Sequence, residues 1–159
     1  MKVHDLIITQ TQKDEEREMI GSDNCALAQE LYTLFNENRL EEASKMASDD
    51  IKVDMVPFGM VFDGRDGFLG FMDGFKTAFP DLTITVEHQV ASEDGVASEC
   101  SWSGTHTGTL TTPGGPVEAT GKRVEAARFC EVWDVTDGAI TKLVNYQDMR
   151  TWLRQLDLA

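Results

Sequence analysis

The hydrophobic pattern of this chain changes period at Pro80. Before that proline, apart from residues 51–62, apolar residues recur every three or four positions, the spacing of a helix face. After it they alternate, the spacing of half-buried strands. Residues 82–90 read LTITVEHQV and place Leu82, Ile84, Val86, His88 and Val90 on one face. A turn at residues 93–95 leads into VASECSWSGTHT, residues 96–107. Two further strands are predicted at about 123–135 and 139–147, joined by Thr136-Asp137-Gly138, a tight hairpin signal. Ahead of them, LTTPGGPVEATGK, residues 110–122 with two prolines and three glycines, reads as a long loop.

In the helical half, Asn24 is placed to cap a helix with the stripe Leu27, Leu31 and Leu34, flanked by Ala28, Tyr32 and Phe35. A short helix is predicted over 40–47 and a strand pair over 51–62, broken at 57–59. Residues 64–79 read as a helix crowded with Phe68, Leu69, Phe71, Met72, Phe75 and Phe79, stopped by Pro80. Met149, Trp152, Leu153 and Leu156 fall at helical spacing and predict a closing helix. Residues 1–22, with the charged run KDEERE and no clear period, read as an extension, either an arm or a short helix. The domain proper runs over 23–159. The fold class is α+β: a curved antiparallel sheet wrapped over N-terminal helices as a cone, with an interior pocket.

The 159 residues suit one domain with a sizeable core. The net charge of -14 argues against nucleic acid or an anionic membrane surface as a partner. Cys25, Cys100 and Cys130 are odd in number and match no zinc spacing, so free thiols in a reducing compartment are expected. His4, His88 and His106 are scattered, which argues against a histidine-rich metal site. There is no apolar run of membrane-spanning length and no signal-peptide pattern, so a cytoplasmic protein is expected.

The strands carry ionisable residues where alternation points them inward. His106 falls in phase with Val96, Cys100 and Trp102, and Glu131 with Phe129 and Trp133. Asp148 falls in phase with Ile140, Val144 and Tyr146. Charged or polar groups facing an apolar interior are satisfied by partners or take part in chemistry. Trp102, Phe129, Trp133 and Tyr146 together predict an aromatic pocket for a flat, hydrophobic small molecule. Each site residue has a structural alternative. Asp148 precedes the last helix and is placed to cap it, and His106 can be a core histidine tied to a neighbouring strand. Glu131 can form a buried ion pair with Arg128 or Arg123, and His88 reads as an edge residue near a turn.

This order of elements, with W-S-G-T-H-T-G (102–108), T-G-K-R-V-E (120–125), D-G-x-I (137–140) and N-Y-Q-D (145–148), resembles the SnoaL-like polyketide cyclases. These belong to the superfamily of cone-shaped folds similar to nuclear transport factor 2. The resemblance implies intramolecular aldol ring closure of a polyketide ester, without cofactor or metal, with an aspartate as general acid/base. It places that role on Asp148, an oxyanion partner at His106, and a second acid at Glu131, where relatives usually carry the shorter aspartate. A carboxylate in a dry pocket is a stronger base near neutral pH. A related isomerase, dehydratase or hydrolase in the same pocket is an alternative, and so is a non-catalytic binder of hydrophobic ligands. The resemblance also implies a homo-oligomer, dimer or tetramer, with the outer sheet face buried, and the apolar residues on both faces of 124–135 agree with that.

Overall fold

The computed structural model describes residues 3–159, with side chains from residue 10 onward. Met1, Lys2 and the side chain of His4 lie outside the described residues. The elements are α1 (Val3–Asn36), α2 (Leu40–Ser44), β1 (Ala47–Met55), a 3-10 turn (Val56–Phe58), β2 (Met60–Asp63) and α3 (Gly64–Ala78). The sheet half follows as β3 (Thr83–Ser92), β4 (Gly95–Thr105), β5 (Leu110–Thr112), β6 (Gly115–Val117), β7 (Arg123–Thr136) and β8 (Ala139–Gln147). The chain closes with α4 (Met149–Gln155).

The helix α1 is 34 residues long and runs straight through the expected extension. Asn24 therefore sits inside a helix and caps nothing; its Nδ2 donates to the Ser92 carbonyl at 2.8 Å. Residues 10–20 are exposed, and Gly21 is the first buried position of α1 among the residues with described side chains. A Cβ there would lie 3.5 Å from the Ala91 carbonyl, in ordinary contact with the sheet. From Ala28 onward the stripe Leu31, Leu34 and Phe35 is buried.

Six strands form one curved sheet in the order β2-β1-β8-β7-β4-β3. The pairs are antiparallel except β1 with β8, which run parallel. The sheet does not close, and α1 and α3 pack on it. The expected long loop contains a separate hairpin instead, β5 with β6, closed by the Thr112 hydroxyl donating to the Gly115 carbonyl at 2.7 Å. Asp137 and Gly138, with φ of 50° and 74°, make the tight turn between β7 and β8. No described helix is long and apolar enough to cross a membrane, and the three cysteines are free.

Two irregularities decide which side chains face inward. The β3–β4 register shifts between Val86 and His88. Ile84 and Val86 point toward the core, but His88 and Val90 are exposed, and Gln89 and Ala91 take the inner face. The β7–β8 register shifts between Asp134 and Val135. Ile140 is buried, yet beyond the shift the buried residues are Leu143 and Asn145. A one-residue slip moves every later side chain to the opposite face. The inward set expected on β8, with Val144, Tyr146 and Asp148, is therefore the outward one.

The motif 102–108 is a packing device at the corner between α3 and the sheet. A Cβ on Gly104 would press on Leu82 at 3.1 Å, and one on Gly108 would sit 1.9 Å from the Thr77 carbonyl oxygen. The Thr107 and Gly108 amides both donate to the Ala78 carbonyl at 3.1 Å.

Candidate active site

Glu131 is the centre of the site. It lies mid-strand on β7, facing inward between Phe129 and Trp133, and is 5% exposed. The register sets it opposite Asn145 on β8. Asn145 Nδ2 donates to Glu131 Oε1 at 2.9 Å. The Tyr32 hydroxyl, reaching across from α1, donates to Oε2 at 2.8 Å. Trp133 Nε1 donates to the same oxygen at 3.3 Å. The Tyr32 and Trp133 rings pack 5.3 Å apart behind it.

No cation meets this carboxylate among the described residues. Arg128 faces outward and pairs with Glu99, and Arg123 pairs with Asp81 and Glu125. The ion pair considered for Glu131 is thus absent. Burial pushes the Glu131 carboxyl above the usual carboxylate range, against the opposing pull of its three hydrogen bonds. Burial, and then the Glu131 charge, push the Tyr32 phenol well above its ordinary value, so Tyr32 stays a proton donor.

Glu131, Tyr32 and Asn145 open onto a cavity between the helices and the sheet. Leu31, Phe35, Phe68 and Met72 form its helical wall, and Trp102 and Phe129 part of the sheet wall. The cavity itself is small, about 50 Å³, within about 500 Å³ of empty space once its mouth is included. Gln147 also lines it. Asn145 Oδ1 and Gln147 Oε1 are buried acceptors without a protein partner. They would meet a hydroxyl, an enol or a water.

The structure does not bring the three expected catalytic residues together. Asp148 is exposed, outside the cavity, and caps α4, its Oδ1 accepting from the Thr151 amide at 3.2 Å. Hydrogen bonding from Thr151, its side chain first and then its amide, holds the Asp148 carboxyl below the usual range. His106 is fully buried just beyond β4 but does not line the cavity. Its Nδ1 accepts from the Thr120 amide at 3.2 Å, and its ring stacks on Phe79 with centroids 5.0 Å apart. Burial lowers its pKa. Phe79 stands between His106 and Trp102, packing edge-on against that indole at 5.0 Å.

Of the expected aromatic wall, Trp102 and Phe129 line the cavity. Trp133 stands behind Glu131 as a donor. Tyr146 is 48% exposed on the outer face of the sheet, so its expected place in the pocket is corrected. Sequence reasoning missed Tyr32, Asn145 and Gln147. The last two were visible in N-Y-Q-D as its alternate members, but in the phase opposite to the one predicted. No three His, Cys, Asp or Glu side chains among the described residues are grouped to hold a metal ion.

The sequence profile of the family described as SnoaL-like polyketide cyclase matches residues 26–156. Among solved structures, the chain is similar to AclR of Streptomyces galilaeus, a candidate hydroxylase. The two are 27% identical over 87% of each chain, with a TM-score of 0.74. It is also similar to IdmH of Streptomyces antibioticus, a candidate polyketide cyclase. That pair is 29% identical over 84% of this chain and 98% of IdmH, with a TM-score of 0.70. A candidate SnoaL-like polyketide cyclase from Jannaschia shares the fold at 16% identity, with a TM-score of 0.73 over 88% of this chain and 95% of the other. No curated protein matches the chain in sequence.

Proposed function

The chain belongs to the SnoaL-like polyketide cyclase family, and we propose that it closes a ring by intramolecular aldol chemistry with Glu131 as the acid/base. The substrate class is a polyketide-like ester or another hydrophobic compound carrying two carbonyls. One observation carries this reading: a carboxylate 5% exposed, with no cation among the described residues, lines a largely apolar cavity. An unpaired buried charge is costly to keep for structure alone.

The steps need only protein side chains. Glu131 takes a proton from the carbon next to one carbonyl, and the resulting enolate carbon attacks the second carbonyl carbon. A carbon–carbon bond forms, and the attacked oxygen becomes an alkoxide. That alkoxide takes the proton back from Glu131. Tyr32 holds the carboxylate in place while it is ionised, and its O–H can turn to the alkoxide once Glu131 is protonated. Asn145 Oδ1 and Gln147 Oε1 accept from substrate hydroxyls and fix its orientation. Asp148 takes no part, because it caps α4 outside the cavity.

A second reading, a binder without chemistry, has the structural engagement of both Asp148 and His106 on its side. The discriminating experiment uses an aromatic ester bearing two ketones placed for six-membered ring closure, with loss of one ketone carbon signal and appearance of a carbinol carbon followed by NMR. Glu131→Gln should lower kcat by about 10²- to 10⁴-fold, the range of a lost general base. Asp148→Ala should leave it little changed. Conversion by Glu131→Gln at the native rate would remove Glu131 from the chemistry; a native protein that binds the ester unchanged would favour the binder.

A further inference from the structure

A second cavity adjoins the first. It lies between α3, the β1–β2 hairpin and the start of β5, and measures about 190 Å³. Met55, Phe58, Met60 and Leu110 form its far side. Its near side is Phe71 and Phe75, which also line the Glu131 cavity. These two rings meet edge to face at 5.6 Å, and Phe71 meets Phe62 in the same way at 5.6 Å. One aromatic partition thus separates two apolar spaces.

The floor of the outer space is unusual for a helix. Gly70 and Gly74 lie four residues apart on α3 and both face this cavity. Glycine inside a helix is unfavourable relative to alanine, so each needs a reason. Gly67 has one: a Cβ there would press on the Phe62 backbone at 3.2 Å. Gly70 and Gly74 have no such reason, because a Cβ at either would meet nothing within 4 Å. Neither has a positive φ. What the missing side chains leave is room in the outer cavity. Neither space alone reaches the roughly 300 Å³ at the lower end of ligand pockets, and joined they approach it.

We propose that the space over Gly70 and Gly74 is the entrance and apolar subsite of the Glu131 cavity, with Phe71 and Phe75 as the partition that turns to join them. Its occupant is the hydrocarbon end of one small molecule whose carbonyl end lies at Glu131. Only the placing of that carbonyl end rests on the function proposed above.

The test is a fluorescence titration of the whole protein with 6-propionyl-2-dimethylaminonaphthalene, a neutral naphthyl ketone that brightens in apolar surroundings. The native protein should bind it. Gly70→Leu and Gly74→Leu, which fill the outer space from an exposed helix face, should each weaken binding at least about tenfold by steric exclusion. Met60→Gln, which puts an amide on the opposite wall, should weaken it independently of any change in α3. Phe75→Ala should speed association by removing half of the partition. Folding of each variant is checked by circular dichroism. Native-like affinity in the folded leucine variants and in Met60→Gln, or no uptake by the native protein, overturns the proposal. Glu131→Gln should still bind the probe. Full turnover by that variant alongside weakened binding by the leucine variants would sink the acid/base reading and leave the subsite standing.

Discussion

At Glu131 the chain keeps a carboxyl where burial disfavours its charged form, and the cost has a pH signature. Its carboxyl pKa is raised on folding, mainly by burial. Such a group contributes its full stability below the unfolded value of about 4.5 and loses it as pH rises through the folded value. Glu131→Gln should therefore gain on the native protein in urea midpoint as pH rises above about 4.5 through the raised folded value. The Asn145 amide can flip to accept from the new NH₂, since its oxygen has no other partner. His106 has the opposite signature. Burial lowers its pKa, so its contribution is present above about 6.5 and is lost as pH falls through the lowered folded value. Native stability should drop on acidification through that window, and His106→Gln should flatten the slope; an unchanged slope would place the titration elsewhere. The sequence already marked Glu131 and His106 as inward, because both lie where alternation holds. It misassigned Asp148, because alternation counted from Ile140 carries across a register shift.

Elements were readable wherever a period ran unbroken. The helix α3 is ended by Pro80, β7 alternates from Ala127 to Val135, and Asp137-Gly138 turns the chain as its residues demand. Bulges and tertiary hydrogen bonds left no comparable mark. The shift in β3 exposes His88 and Val90, and the one between β7 and β8 turns Asn145 and Gln147 inward. Each sets one extra residue of one strand against its partner, a property of the pair and not of either strand. The glycines of W-S-G-T-H-T-G are explained at this scale too. Gly108→Ala should destabilise by at least about 2 kcal/mol in urea unfolding, since its Cβ would overlap a backbone carbonyl that cannot swing away. A loss of a few tenths would mean that the α3 corner yields.

For the molecule as a whole, the outer face of the sheet carries exposed apolar side chains. Val132 and Tyr146 are 39% and 48% exposed, and the register sets Val132 beside Val144 and Cys130 beside Tyr146 at the centre of the sheet. We expect this face to pair with a second copy, so sedimentation should give a dimer. Val132→Glu should give a folded monomer, and added salt should strengthen association by screening the net charge of -14. A native monomer at high concentration would refute this. The sequence by itself determined the α+β order, the inward placing of Glu131 and the likeness to one family. Those depend on local period and on short motifs that any stretch of chain carries within itself. Tertiary structure decided that Asp148 is a cap, that α1 continues unbroken through the expected extension, and that Tyr32 meets Glu131 from 99 residues away. It decided also that Arg128 and Arg123 turn outward, leaving the carboxylate with no cation among the described residues. Such contacts depend on register and packing between distant segments, which no window of sequence contains.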